Sequence, residues 1–144
     1  MELKSNSPPS ISILFVEDDE ITLKLQSSIL SVRFPDVKLY TAINGRLGLE
    51  LFKAHTPDIV LTDINMSVMC GMQMAENIRA IKPETKIIAI TGKSGETGVN
   101  DKSIIRNSDE KMVEFDHVIV KPVDLSELCG VIKQCIGEVK QRVS

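Results

Sequence analysis

The chain has no tryptophan, one tyrosine and four phenylalanines, and its formal net charge is −3. It therefore lacks both the stacking platform and the basic field on which nucleic-acid binding relies, and DNA contact by this chain alone is not expected. Cysteine is scarce: Cys70, Cys129 and Cys135 form no CxxC pair and lie far from His55 and His117 in sequence. Neither a disulfide framework nor a zinc site is indicated, and a reducing cytoplasm is the expected setting. No apolar run is long enough to span a bilayer. The polar start, Met1 to Ser10 with Pro8-Pro9, lacks the apolar core of a signal peptide. No internal repeat, low-complexity tract or dividing linker is evident. What remains, 144 residues of which 42% are hydrophobic and 26% charged, suits one domain with a continuous core.

Apolar runs alternate with helical periodicity along the chain. Ile11-Ser-Ile-Leu-Phe-Val16 reads as a buried strand that stops at the acidic Glu17-Asp18-Asp19. From Glu20 to Arg33, the residues Ile21, Leu25, Ile29 and Val32 recur at helical spacing until Pro35-Asp36 breaks the pattern. A second strand is predicted over 37–42 and a helix with Leu47, Leu51 and Phe52 on its apolar face before Pro57. Ile59 to Asp63 is a third strand, followed by a helix marked by Met72, Ala75 and Ile78 that stops before Pro83. Lys86 to Thr91 is the fourth strand and Val118 to Val120 the fifth, with a helix predicted between Asp101 and Val113. A last helix from Leu125 to about Arg142 aligns Leu125, Leu128, Ile132, Cys135 and Val139 on one face. Those residues also follow coiled-coil spacing, but the same face must cover the sheet. Five β-α units with nearly continuous apolar strands imply a doubly wound α/β fold, a parallel sheet with helices on both faces.

In such folds the carboxyl ends of the strands build the ligand site. Here those ends carry Glu17 and Asp18, Asp63, Thr91 and Lys121. Carboxylates gathered at one sheet end repel one another unless a cation neutralises them. A hard divalent ion is the natural occupant, and Mg²⁺ favours one or two carboxylates together with phosphate oxygens and water. An acidic pair alone is more often a helix cap, and a lone Lys-Pro an ordinary loop. The specificity lies in the joint occurrence.

On the segments Leu14-Phe-Val-Glu-Asp18, Ile59-Val-Leu-Thr-Asp63-Ile-Asn-Met66, Gly71, Ile87-Ile-Ala-Ile-Thr91 and Val120-Lys-Pro122, the chain resembles the CheY-like receiver domain of bacterial response regulators. The resemblance runs from Ile11 to about Val139 and implies a flexible stretch 1–10 followed by a receiver domain over 11–142. It implies a flavodoxin-like sheet of order 2-1-3-4-5, with Asp63 as phosphoacceptor and a phosphorylation that switches partner binding. Asp18 is then a direct Mg²⁺ ligand, Glu17 acts on the metal mostly through water, and the backbone carbonyl of Asn65 completes the protein's share. Thr91 supplies a hydroxyl to a phosphoryl oxygen, and Lys121 an ammonium that pairs with phosphate. The peptide bond before Pro122 is expected in cis. The implied partners are a histidine kinase or histidine phosphotransfer protein and a downstream protein the sequence does not identify. Such a chain is a signalling phosphoacceptor and not an enzyme in its own right.

Three departures bear on the readout: Ser67 stands where proline is usual, Cys70 where an acidic residue is frequent, and Val118 where the family has an aromatic ring. Strand alternation sends the neighbouring His117 to the opposite face. Phosphorylation is accordingly expected to act through the long, glycine-containing connection Gly92 to Val113, expected to be mobile or irregular. The alternative is a constitutive interaction module that keeps the fold without useful phosphorylation. Other readings fail on single residues. A P-loop needs glycine where Ile87 stands, an aspartate-nucleophile phosphatase needs an acid where Asn65 stands, and the Glu17 to Glu20 loop would repel a flavin phosphate.

Overall fold

A computed structural model describes residues 10–66, 69–92, 104–106 and 112–143. Strand β1 (Ser12–Val16) leads into helix α1 (Glu20–Arg33), and β2 (Lys38–Ala42) into α2 (Gly45–His55). Next come β3 (Ile59–Asp63), α3 (Gly71–Ile81), β4 (Lys86–Thr91), the short strands β5 (Ile104–Arg106) and β6 (Met112–Glu114), β7 (His117–Val120) and α4 (Leu125–Val143). The main sheet is parallel and ordered β2-β1-β3-β4-β7, the flavodoxin-like arrangement with β7 as its fifth strand.

The sheet is buried on both faces, which is why its strands are apolar without alternation. All of β3 is buried, as is β4 after its first residue. Successive residues divide between two cores, as the pleat requires. Leu14, Val16, Val60, Ile87 and Ala89 face α2 and α3, meeting Phe52, Met74, Ala75 and Ile78. Ile13, Phe15, Ile59, Leu61, Ile88, Ile90 and Ile119 face α1 and α4, meeting Leu23, Leu30, Leu128, Ile132, Cys135 and Val139. The final helix therefore covers the sheet with the face its spacing marked out, Leu125 being only partly buried.

Two expectations are corrected. Helix α1 has the predicted limits, but the stripe that revealed it is not the one it buries. Leu23 and Leu30 enter the core, whereas Ile21, Leu25 and Val32 are 79%, 61% and 79% exposed. At 100° per residue these sets lie on opposite sides of the helix, so α1 is apolar on two faces and only packing decides which turns inward. The second correction concerns 101–113, where a helix was predicted. Its described residues form the antiparallel pair β5–β6, with Ile105 opposite Val113. Branched residues favour strands, and the intervening 107–111 is turn-forming in composition. Phe115 follows β6 and is buried in the core beside α3. Residues 93–103 and 107–111, on which the expectation of a mobile connection falls, lie outside the described residues, as does Ser67.

Candidate functional site

The carboxyl ends of β1, β3, β4 and β7 converge. Strand pairing sets Val16 opposite Thr62, Asp63 opposite Ile90 and Thr91 opposite Val120, so the residues just beyond these positions share one edge of the sheet. Backbone bonds continue the ladder past the strands: Glu17 N–H donates to Ala42 O at 3.1 Å, Ile64 N–H to Ile90 O at 2.9 Å and Lys121 N–H to Thr91 O at 2.8 Å. Sheet pairing thus fixes Glu17, Asp63, Thr91 and Lys121 at their roots.

Carboxylate oxygens of Glu17, Asp18 and Asp63 lie within 4.8 Å of one another. Glu17 and Asp63 are buried and Asp18 is exposed. One Asp63 oxygen, Oδ1, accepts from the Asn65 backbone N–H at 3.1 Å, and the other, Oδ2, accepts from Lys121 Nζ at 2.7 Å. The carboxylate is held from two sides. Asp19, the third acid of the loop, is committed elsewhere, because its side chain caps α1 by accepting from the N–H groups of Ile21 and Thr22. Its own N–H donates to Glu17 Oε2 at 3.1 Å. The Lys121–Pro122 peptide bond is cis.

Gly71 explains itself at this site. A Cβ there would collide with the carbonyl oxygen of Asp63, so only glycine lets α3 start directly against the strand end.

Burial pushes the Glu17 carboxyl above its ordinary pKa of 4.5. The hydrogen bond from Asp19 N–H and the Lys121 charge oppose this, while the charges of Asp63 and Asp18 add to it. For Lys121, burial works downward, but the hydrogen bond to Asp63 and the charges of Asp63, Glu17 and Asp18 outweigh it and hold the ammonium above 10.5. Three acids against one ammonium is a deficit of positive charge.

An open pocket of about 430 Å³ sits over these groups, lined by Glu17, Asp18, Asp63, Asn65 and Lys121 together with Thr22 and Gln26 of α1 and the turn Pro122-Val123. Thr91 is at the edge but fully buried, and it does not line the pocket. Val118 packs against the α2–α3 core without a ring. The pocket's α1 wall escaped the sequence reading. Gln26 lies three residues after Leu23 and four before Leu30, a polar residue in the inward stripe, and that signal is visible only once the buried face is known. The donor set suits a hard, oxygen-seeking divalent ion: several carboxylate oxygens, a neighbouring carbonyl and an open side for water.

A family model described as "Response regulator receiver domain" matches residues 13–133. The autoinducer 1 sensor kinase/phosphatase LuxN of Vibrio campbellii is 33% identical over 96 residues, which is 67% of this chain and 11% of that protein. The regulatory protein AtoC of Escherichia coli is 30% identical over 125 residues, covering 86% of this chain and 25% of AtoC. The chain thus spans a minor part of either relative. A response regulator receiver domain protein from Clostridium thermocellum superposes with a TM-score of 0.74 at 23% identity, over 91% of this chain and 98% of that one. The response regulator protein TrrA of Thermotoga maritima, solved in complex with Mg(2+)-BeF, gives 0.69 at 27% identity over 87% and 98%. Among the described residues no helix is long and apolar enough to cross a membrane.

Proposed function

Because the chain belongs to the response regulator receiver domain family, we propose that it accepts a phosphoryl group on Asp63 in a two-component or phosphorelay pathway, in a Mg²⁺-dependent reaction. The observation that carries this reading is the 2.7 Å contact of Lys121 Nζ with Asp63 Oδ2 inside a cluster of three carboxylates. It supports the reading because an acidic oxygen, an ammonium and further carboxylates share one pocket, as a nucleophile, a phosphate-pairing cation and a metal-binding donor set would need to.

The chemistry follows from those positions. An Asp63 carboxylate oxygen attacks phosphorus, the bond from phosphorus to the donor's imidazole nitrogen breaks, and an acyl phosphate forms while the departing imidazole leaves with its electron pair. Glu17, Asp18, Asp63 and the Asn65 carbonyl would hold Mg²⁺, whose chemistry there would be to offset charge on the phosphoryl oxygens. The Asn65 N–H keeps the nucleophile oriented, and the pocket's positioning of both reactants supplies much of the rate. Lys121 exchanges its carboxylate partner for a phosphoryl oxygen; a compact ammonium on a flexible stem can do so. Thr91 turns from its buried position to donate its hydroxyl to another phosphoryl oxygen. The donor is a protein carrying a phosphohistidine, and it approaches beside Thr22 and Gln26, where Ile21 and Leu25 of α1 stand exposed. The working compartment is the cytoplasm, and the phosphorylated form engages a downstream protein.

Incubation with acetyl phosphate, followed by peptide mass spectrometry, tests this. Incorporation at Asp63 that needs Mg²⁺ and disappears in Asp63→Asn is expected. The second reading, a constitutive interaction module, is favoured by the burial of Thr91 and the ringless Val118. It requires that no donor label the wild type.

A further inference from the structure

Strand β3 carries a hydroxyl inside its buried run: Thr62, fully enclosed and immediately before Asp63. It is paired with Val16 on β1 and Ala89 on β4, and Val60 precedes it on the same face of the sheet; all three belong to the apolar core beneath α2 and α3. Packing alone favours valine there, which has the same branched shape and no polar atom to strip of water. The hydroxyl has a partner at atomic distance, because Thr62 Oγ1 donates to the main-chain oxygen of Asp63 at 2.8 Å. The same oxygen is crowded by the start of α3, where a Cβ on Gly71 would collide with it. At the other end of this peptide unit, the Ile64 N–H donates to Ile90 O at 2.9 Å. Asn65 follows, and its N–H returns to Asp63 Oδ1 at 3.1 Å.

We propose that Thr62 is a positioning residue of the phosphoryl site: its hydroxyl sets the tilt of the Asp63–Ile64 peptide, and through it the alignment of the Asp63 carboxylate with the Asn65 N–H. The inference rests on the proposed function and deepens it. The peptide is held at its oxygen by Thr62 and at its N–H by Ile90. Without the first hold, a buried carbonyl is left short of a donor and turns to find one. That turn carries Ile64 and Asn65 with it, and the Asn65 N–H moves relative to Asp63 Oδ1. A carboxylate off the line of attack reacts slowly, since phosphoryl transfer depends chiefly on placement. Thr62 is enclosed in the sheet and does not line the pocket, so it acts through the main chain of the nucleophile.

Labelling of the full chain by acetyl phosphate at saturating Mg²⁺, paired with amide NMR of the metal-free protein, tests the idea. Thr62→Val keeps the shape and removes the hydroxyl; its maximal labelling rate is expected to fall about tenfold, short of the roughly hundredfold cost of a full ångström of misplacement. The acetyl phosphate concentration giving half that rate should stay the same, and the Asn65 amide resonance should shift. Thr62→Ser keeps the hydroxyl and should return both rate and resonance to wild-type values. Thr62→Ala removes the hydroxyl without adding bulk and stands in for the Val variant if that one does not fold. A wild-type rate or an unmoved Asn65 resonance in the hydroxyl-free variant overturns the proposal. So does a Ser variant as slow as Val, because the methyl group would then be what matters, or a loss confined to the half-maximal concentration. A wild type that takes no label from any donor removes the proposed function itself, whereas a labelled wild type beside an unaffected hydroxyl-free variant removes only this inference.

Discussion

Both ends of the sheet carry charged clusters, and they are built to opposite rules. At the amino ends, Asp58 accepts from Ser12 N–H at 3.0 Å and lies 3.8 Å from Lys82 Nζ. Asp116 accepts from Ile87 N–H at 2.8 Å and from Arg79 at 3.0 Å, and Lys86 reaches Glu138 at 3.0 Å. Asp58, Asp116 and Glu138 are thus matched by Lys82, Arg79 and Lys86. At the carboxyl ends Glu17, Asp18 and Asp63 share Lys121. A balanced network satisfies itself and ties strands to helices. An unbalanced one keeps charge for a partner from outside, so the charge balance separates the end that holds the fold from the end proposed to do chemistry.

The two ends should differ most at the proposed nucleophile. Asp63→Asn should abolish phosphoryl incorporation while the protein stays folded, as circular dichroism and mass spectrometry would record; retained labelling would move the acceptor elsewhere. At the other end, Asp116→Ala leaves the Ile87 N–H and the Arg79 guanidinium without this partner and should cost about 2 kcal/mol of stability in urea unfolding. Its Mg²⁺ affinity should not change. Asp18→Asn is the inverse case: Mg²⁺ binding should weaken at least about tenfold, equivalent to roughly 1.4 kcal/mol, with no loss of metal-free stability.

The two ends should also differ in their response to pH. The folded-state pKa of Glu17 is raised, so the folded protein holds that proton more tightly than the unfolded chain. Stability from this group is therefore full below 4.5 and falls as pH rises through the elevated value. Lys121 is also raised, so its contribution is present below 10.5 and lost as pH climbs past its elevated value. Melting curves of the metal-free protein should show the acid-side decline, and saturating Mg²⁺ should flatten it by stabilising ionised Glu17. A decline that Mg²⁺ leaves untouched would detach Glu17 from the metal site. The smallest effect on the fold is expected on α1. Leu25→Asp, at a position 61% exposed, should change stability by no more than about 0.5 kcal/mol. Labelling by acetyl phosphate should be unchanged, and transfer from a phosphohistidine protein slowed.

The candidate site was more legible in the sequence than some of the scaffolding around it. Strands β3 and β4 are unbroken apolar runs that end on Asp63 and Thr91, and a parallel sheet places such ends together. The geometry brings Glu17, Asp18, Asp63 and Lys121 into one pocket and leaves Thr91 buried beside it. Helix α1 was legible as a helix but not in its orientation, since periodicity counts apolar stripes and cannot say which one a sheet will cover. Gln26 was hidden for the same reason. The pair β5–β6 was misread because Ile104, Ile105 and Val113 fit a short strand as readily as a helix when pattern length is the only arbiter.

The unbalanced end of the sheet is proposed to take up metal and phosphoryl while the balanced end does not. Backbone amide NMR of the full chain, recorded with Mg²⁺ and then with Mg²⁺ and beryllofluoride, addresses it directly. The expected result is a set of shifts at Glu17, Asp18, Asp63, Asn65, Thr91 and Lys121, with Asp58, Lys86 and Asp116 unmoved. Shifts centred on the Asp116 network, or none at Asp63 at saturating ligand, would contradict it.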